Sequence, residues 1–224
     1  GLLVQGRVVG AENKADMEAQ AQFEINKTTL LSEGSTEKNR VNAAVLLLLS
    51  GNSQARDILL VALGAENSAV VRIAVCQALK QSRGWEESIK GKESFIEPLF
   101  GMLGSEDAAE GQVAAEALII YEYKKIRDKL KQILNDKASV PKAKVNAVYA
   151  MRIRPDKDAI LDMIELLGSD DLSVAGEAGV SLEKVLGIPV GADNNEWARI
   201  TKELEKKNRD EFIADRLVMQ YDKV

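Results

Sequence analysis

The chain has 224 residues, of which 46% are hydrophobic, 29% charged and 4% aromatic, with a formal net charge of −5 and no histidine. That is ample apolar material for a core and too much charge for a membrane domain; the longest unbroken apolar run, residues 43–49, is seven residues, against the ~18 of a spanning helix. The absence of histidine excludes the usual serine and cysteine triads, histidine bases and the common zinc and iron sites, and the single cysteine, Cys76, excludes an internal disulfide framework.

Residues 1–11 are apolar and small, and Gln5 and Arg7 interrupt them. They read as the remnant of an export signal or as a boundary segment, because a complete signal needs a basic start and an unbroken apolar core. Cytoplasmic and exported locations are therefore equally compatible with the chain. Residues 12–31 read as a polar helix rich in Ala and Glu, and residues 1–35 together as an N-terminal segment and capping helix. A strongly apolar helix follows over 36–49, ended by Gly51-Asn52-Ser53, and a second helix over 54–63.

Residues 63–79 set the pattern that the chain repeats. Leu63 closes one helix, Gly64 is expected to take the left-handed conformation, and Asn67 or Ser68 is expected to cap the next helix. Ala74 and Ala78 stand one turn apart and admit a close neighbour, while Val71, Val75 and Leu79 fill the flanks. Cys76 lies inside this helix, where a buried, inert thiol is expected. After a loop at 84–92, a helix over 95–104 carries Pro98 in its first turn. Further pairs are 112–118 with 126–134 and 144–151 with 159–167, and 174–182 opens a last one. Residues 187–193 form a loop. Residues 194–221 read as one long charged helix whose apolar stripe, from Trp197 to Phe212 and Tyr221, breaks at 207–210.

Aligned apolar positions Leu49, Leu79, Leu118, Met151 and Leu182 are 30, 39, 33 and 31 residues apart. The turns Leu63-Gly64, Leu103-Gly104, Leu134-Asn135 and Leu167-Gly168 repeat independently, 40, 31 and 33 apart. A period of this size with two helices per unit marks an α-solenoid. Leu63 to Leu79 resembles a HEAT repeat of the short bacterial type, and the turns Leu103-Gly104-Ser105-Glu106-Asp107 and Leu167-Gly168-Ser169-Asp170-Asp171 match its inter-repeat turn. The Val71-Arg72 pair is aligned with Val41-Asn42, Ala143-Lys144 and Val174-Ala175 in other repeats. Tetratricopeptide repeats would want a Trp and Tyr signature that this chain lacks. The resemblance implies an all-α, right-handed solenoid of about four to five helix pairs over 36–186. First helices form its outer layer and second helices its inner one, with a loop and terminal helix at 187–224.

It also implies a scaffold: a non-catalytic surface that binds a macromolecular partner. The competing class is an accessory lyase or small-molecule enzyme using the groove as its site. The paired carboxylates Glu106-Asp107 and Asp170-Asp171 fall where helices begin, which points to capping rather than acid–base chemistry or calcium binding. No catalytic, cofactor or metal residue is expected. Charge placement is the least ordinary feature: residues 124–157 hold eleven basic side chains against three acidic ones, a net +8, so the rest of the chain sums to −13. The candidate partner-binding residues are Lys124, Lys125, Lys129, Lys131, Arg152 and Arg154, weighed against a plain solvated face. Such a patch suits an acidic protein partner, and the net charge of −5 disfavours nucleic acid.

Overall fold

The structure, a computed structural model, describes residues 2–189, 191, 193–208, 210–212 and 215, with side chains from residue 14 onward. Among the described residues the chain is all-α, without a strand. It divides into two compact units, Gly1–Pro98 and Leu99–Val224.

The first unit holds α1 (Leu2–Leu31), α2 (Glu37–Leu49), α3 (Ser53–Ala62) and α4 (Ala69–Gln81), followed by 3-10 turns at Glu86–Ser88 and Lys92–Phe95. Helix α2 packs against α1 and α4. Helix α5 (Ile96–Met102) spans the division, with Pro98 in its first turn as expected. The second unit holds α6 (Ala108–Ala117), a 3-10 turn at Leu118–Ile120, α7 (Tyr123–Asn135), α8 (Pro141–Ile153), α9 (Lys157–Leu166), α10 (Leu172–Leu186) and α11 (Asn194–Lys206). There α8 packs between α6 and α10, and α9 meets α7, α10 and α11.

The first helix of each pair obeys one register, measured from its N-cap at Thr36, Ser68, Asp107, Val140 or Asp171. The eleventh residue after the cap is Leu47, Leu79, Leu118, Met151 or Leu182, none more than 2% exposed. The seventh is Ala43, Val75, Ala114, Ala147 or Ala178, none more than 3% exposed, and four of the five are alanine, which lets a neighbouring helix pack closely. This corrects the alignment in α2. Leu49 is 57% exposed, and Leu47 takes the buried place. Residues 43–49 are apolar without interruption, so hydrophobicity cannot set the phase there. The cap does, through Thr36 Oγ1 accepting from the Asn39 amide at 3.2 Å. The same two-residue shift aligns Asn39-Arg40, not Val41-Asn42, with Val71-Arg72. Arg40 donates to the carbonyls of Leu30 (2.7 Å) and Ser35 (3.2 Å), and Arg72 to those of Ala65 (3.1 Å) and Asn67 (2.6 Å). Each arginine, four residues past its cap, folds back over the preceding turn.

Three local expectations also change. Gly64 is not among the glycines with positive φ, and neither Asn67 nor Ser68 caps α4 with its side chain. The Asn67 amide instead turns back to the Val61 carbonyl at 2.7 Å, so that turn is tied to the helix before it. The helix expected from residue 12 begins at Leu2, since Gly6 and Gly10 each cost a helix only about 1 kcal/mol and no proline intervenes. The single C-terminal helix is two: α11 stops at Lys206, Lys207 is extended (φ −84°, ψ 137°), and a new helical turn starts behind Asn208. Asn208 Oδ1 accepts from the Glu211 amide and Glu211 Oε2 from the Asn208 amide, both at 2.9 Å, a reciprocal capping box that makes the restart local. Ile213, Leu217 and Tyr221 lie outside the described residues. The cap expectations at Asp107 and Asp171 hold: Asp107 accepts from the amides of Ala109 and Glu110, Asp171 from those of Ser173 and Val174.

Candidate functional site

A polar constellation lies between α7 and α9. Tyr123, Arg127 and Lys131 follow one another at four-residue spacing, which puts all three on one side of α7, next to the buried Ile126 and Leu130. They converge on Asp162, 4% exposed on α9. Asp162 Oδ2 accepts from the Tyr123 hydroxyl at 2.6 Å and from Arg127 Nε at 2.7 Å. Its Oδ1 accepts from Arg127 Nη2 at 2.8 Å and meets Lys131 Nζ at 2.9 Å.

Burial alone would raise the Asp162 carboxyl. The bonds from Arg127, Tyr123 and Lys131 outweigh it and hold the group below the usual carboxylate range. Tyr123 is pushed far up by burial and then by its bond to the same carboxylate, so it stays a phenol and always donates. With both oxygens engaged, Asp162 is a clamp joining two helices rather than an acid or base with a vacant lone pair. The sequence reading missed Asp162 and Tyr123. The available signal was a lone acid inside the apolar run of residues 159–164, opposite three polar residues at helical spacing.

The predicted basic residues are dispersed over several tasks. Lys131 belongs to the clamp. Lys124, exposed, pairs with Glu122 at 2.9 Å, and Lys129 lies 5.9 Å from the centre of the Phe100 ring. Lys125 is exposed on α7. Arg152 stacks 4.4 Å from the Tyr149 ring centre and stands 3.6 Å from Glu177, while Arg154 donates to the Ile119 carbonyl at 3.2 Å. Arg152 is part of a polar line across three helices: the Tyr149 hydroxyl on α8 donates to Glu116 on α6 at 2.8 Å, and Glu177 on α10 accepts from Ser181 at 3.1 Å. The structure thus places Lys124, Lys125, Lys129 and Lys131 together on α7, and Lys124, Lys129, Lys131, Arg152 and Arg154 each make a contact within the chain.

Among the described residues of the first unit, a groove of about 770 Å³ lies between α2 and α4 and another of about 540 Å³ where α1 faces α2. A smaller pocket of about 200 Å³ lies beside α11, floored by Ile200, Leu204 and Phe212. Among the described residues no group of three or more His, Cys, Asp or Glu side chains is placed to hold a metal ion, and no helix is long and apolar enough to cross a membrane. Compared with models of known protein families and with curated proteins, the chain matches none.

Proposed function

We propose that the chain is a non-catalytic scaffold, an α-solenoid of HEAT-like helix pairs that binds an acidic protein partner through the outward lysines of α7. The observation that supports the solenoid is the shared register: five helices bury the seventh and eleventh residues after their caps, and α2 with α4, then α6 with α8 and α8 with α10, pack in chain order. Units built this way bury their apolar faces only against neighbours, which leaves long outer surfaces for binding. The surface reading rests on Lys124 and Lys125, both exposed, whose charges steer an acidic partner more than they hold it. Lys124 also pairs with Glu122 at 2.9 Å, and Arg127 and Lys131, though 38% and 37% exposed, direct their charge to Asp162.

The test is affinity capture from native lysate with the wild-type protein and with Lys124→Glu/Lys125→Glu, followed by salt titration of the purified pair. The expected result is a partner retained by the wild type and weakened about tenfold or more in the variant, mainly through the association rate, with melting temperature unchanged. Equal capture by both proteins, or affinity indifferent to salt, would reduce the lysines to a solvated face. Turnover of a small molecule would support the enzyme reading instead.

A further inference from the structure

We infer that the outer face of α1 is a self-association surface, on which α1 of a second copy of this chain lies antiparallel about a two-fold axis at Ala21. The inference goes beyond the scaffold reading and does not use the α7 lysines. Leu30 and Asn26, 0% and 7% exposed, form with half-buried Phe23 the face that α1 turns inward. At about 100° per residue, Met17, Ala21, Ile25 and Thr28 fall on the opposite side of the helix. All four are exposed, Met17 by 73% and Ile25 by 57%. Under the solenoid reading α1 caps the stack, and a cap keeps a polar outer face. An outward strip without a charge from Met17 to Thr28 points instead to a further contact.

The strip is its own complement. An antiparallel partner meets it read backwards, and about Ala21 the backward reading exchanges Met17 with Ile25, Glu18 with Glu24 and Gln20 with Gln22. A two-fold axis there sets Met17 of each copy against Ile25 of the other. It also sets alanine against alanine at the crossing, where small side chains let two helices approach to about 8 Å. Glu18 and Glu24 stand about 60° to either side of the strip, and a two-fold perpendicular to both helices keeps them on opposite sides of the contact. Each is already paired within its own helix, Glu18 with Lys14 at 3.8 Å and Glu24 with Lys27 at 3.5 Å. Residues 14–28 hold two lysines against three acids, so two copies of this segment repel each other little. From Met17 to Thr28 the contact runs about 17 Å, below the size of a stable interface, so the dimer is transient, with a dissociation constant of about 100 μM.

The test is sedimentation equilibrium of the purified full chain from about 5 μM to about 1 mM, with Ala21→Glu beside the wild type. The expected result is a monomer–dimer equilibrium that the variant weakens about tenfold or more, because it sets two like charges at the axis on a position the monomer leaves to solvent. Cross-linking reads the register. On mild oxidation Ala21→Cys should give a disulfide-linked dimer, whereas Thr28→Cys, whose two sulfurs lie about 21 Å apart along the axis, should not. The wild type, whose one thiol is buried, is the control. A chain monomeric throughout, a dimer indifferent to a natively folded Ala21→Glu, or equal cross-linking at positions 21 and 28 would overturn the inference. So would a different protein captured by the wild type and lost by Ala21→Glu while the purified chain stays monomeric. If Ala21→Glu does not fold, the two cysteine variants still decide. None of these outcomes touches capture through Lys124 and Lys125, so self-association and the scaffold reading fail separately.

Discussion

Asp162 has four donors on its two oxygens, and two of the three side chains that supply them are cations. Removing it strands a buried tyrosine hydroxyl and two ammonium or guanidinium groups. Arg127 and Lys131 are 38% and 37% exposed, so water relieves part of the loss. Asp162→Ala should lower unfolding free energy by about 2 to 4 kcal/mol in denaturant melts, somewhat less than for a fully buried pair. The sign with pH follows from the depressed carboxyl. Its contribution is fully present above the unfolded aspartate value of about 4 and is lost as pH falls through the lower folded value. The wild-type melting temperature should therefore drop below about pH 4, and Asp162→Ala should flatten that drop; an equal slope in both proteins would show that other carboxylates govern it. Arg40, 3% exposed, acts on neutral partners instead, two carbonyls at the end of α1 and the turn after it. Arg40→Met should cost about 1.5 to 3 kcal/mol, measured in the same melts.

At the scale of the helix, phase is decided by caps rather than by apolar content. Leu47→Ala should cost about 2 to 5 kcal/mol, as should Leu79→Ala at the matching place in α4, whereas Leu49→Ala should stay within about 0.5 kcal/mol. The reverse order for Leu47 and Leu49 would restore the alignment that the apolar run first suggested. Helix existence was legible in the sequence wherever small and large apolar residues alternate around the period, as in α4, α6, α8 and α10. Phase was illegible in α2 because seven consecutive apolar residues carry no period. The clamp escaped for a related reason: Asp162 breaks an apolar run by one residue, and its partners lie 31 to 39 positions earlier, a distance that no local pattern spans. The break after α11 was visible as a gap in the stripe at residues 207–210, but only the bonds between Asn208 and Glu211 show it to be a restart rather than a blemish in one long helix.

At the scale of the molecule the chain comprises two compact units, each with its own buried set. The two tryptophans fall one in each, Trp85 in the first and Trp197 in the second. Trp197→Phe therefore leaves a fluorescence reporter of the first unit, and Trp85→Phe one of the second. Added to these backgrounds, Leu79→Ala should move the transition reported by Trp85 more than the one reported by Trp197, because its cavity opens among α2 and α4 residues. Identical shifts would mean that the chain melts as one cooperative body.

Cys76 is the chain's one thiol, 0% exposed in α4 and eight residues past the Ser68 cap. A reagent reaches it only when that helix opens, so its modification rate is a stopwatch on the breathing of the first unit, running without any engineered label. An opening free energy of about 4 kcal/mol slows the reaction about a thousandfold relative to the unfolded chain. The same buried sulfur thus reports, in seconds or hours, how tightly its helix is held shut.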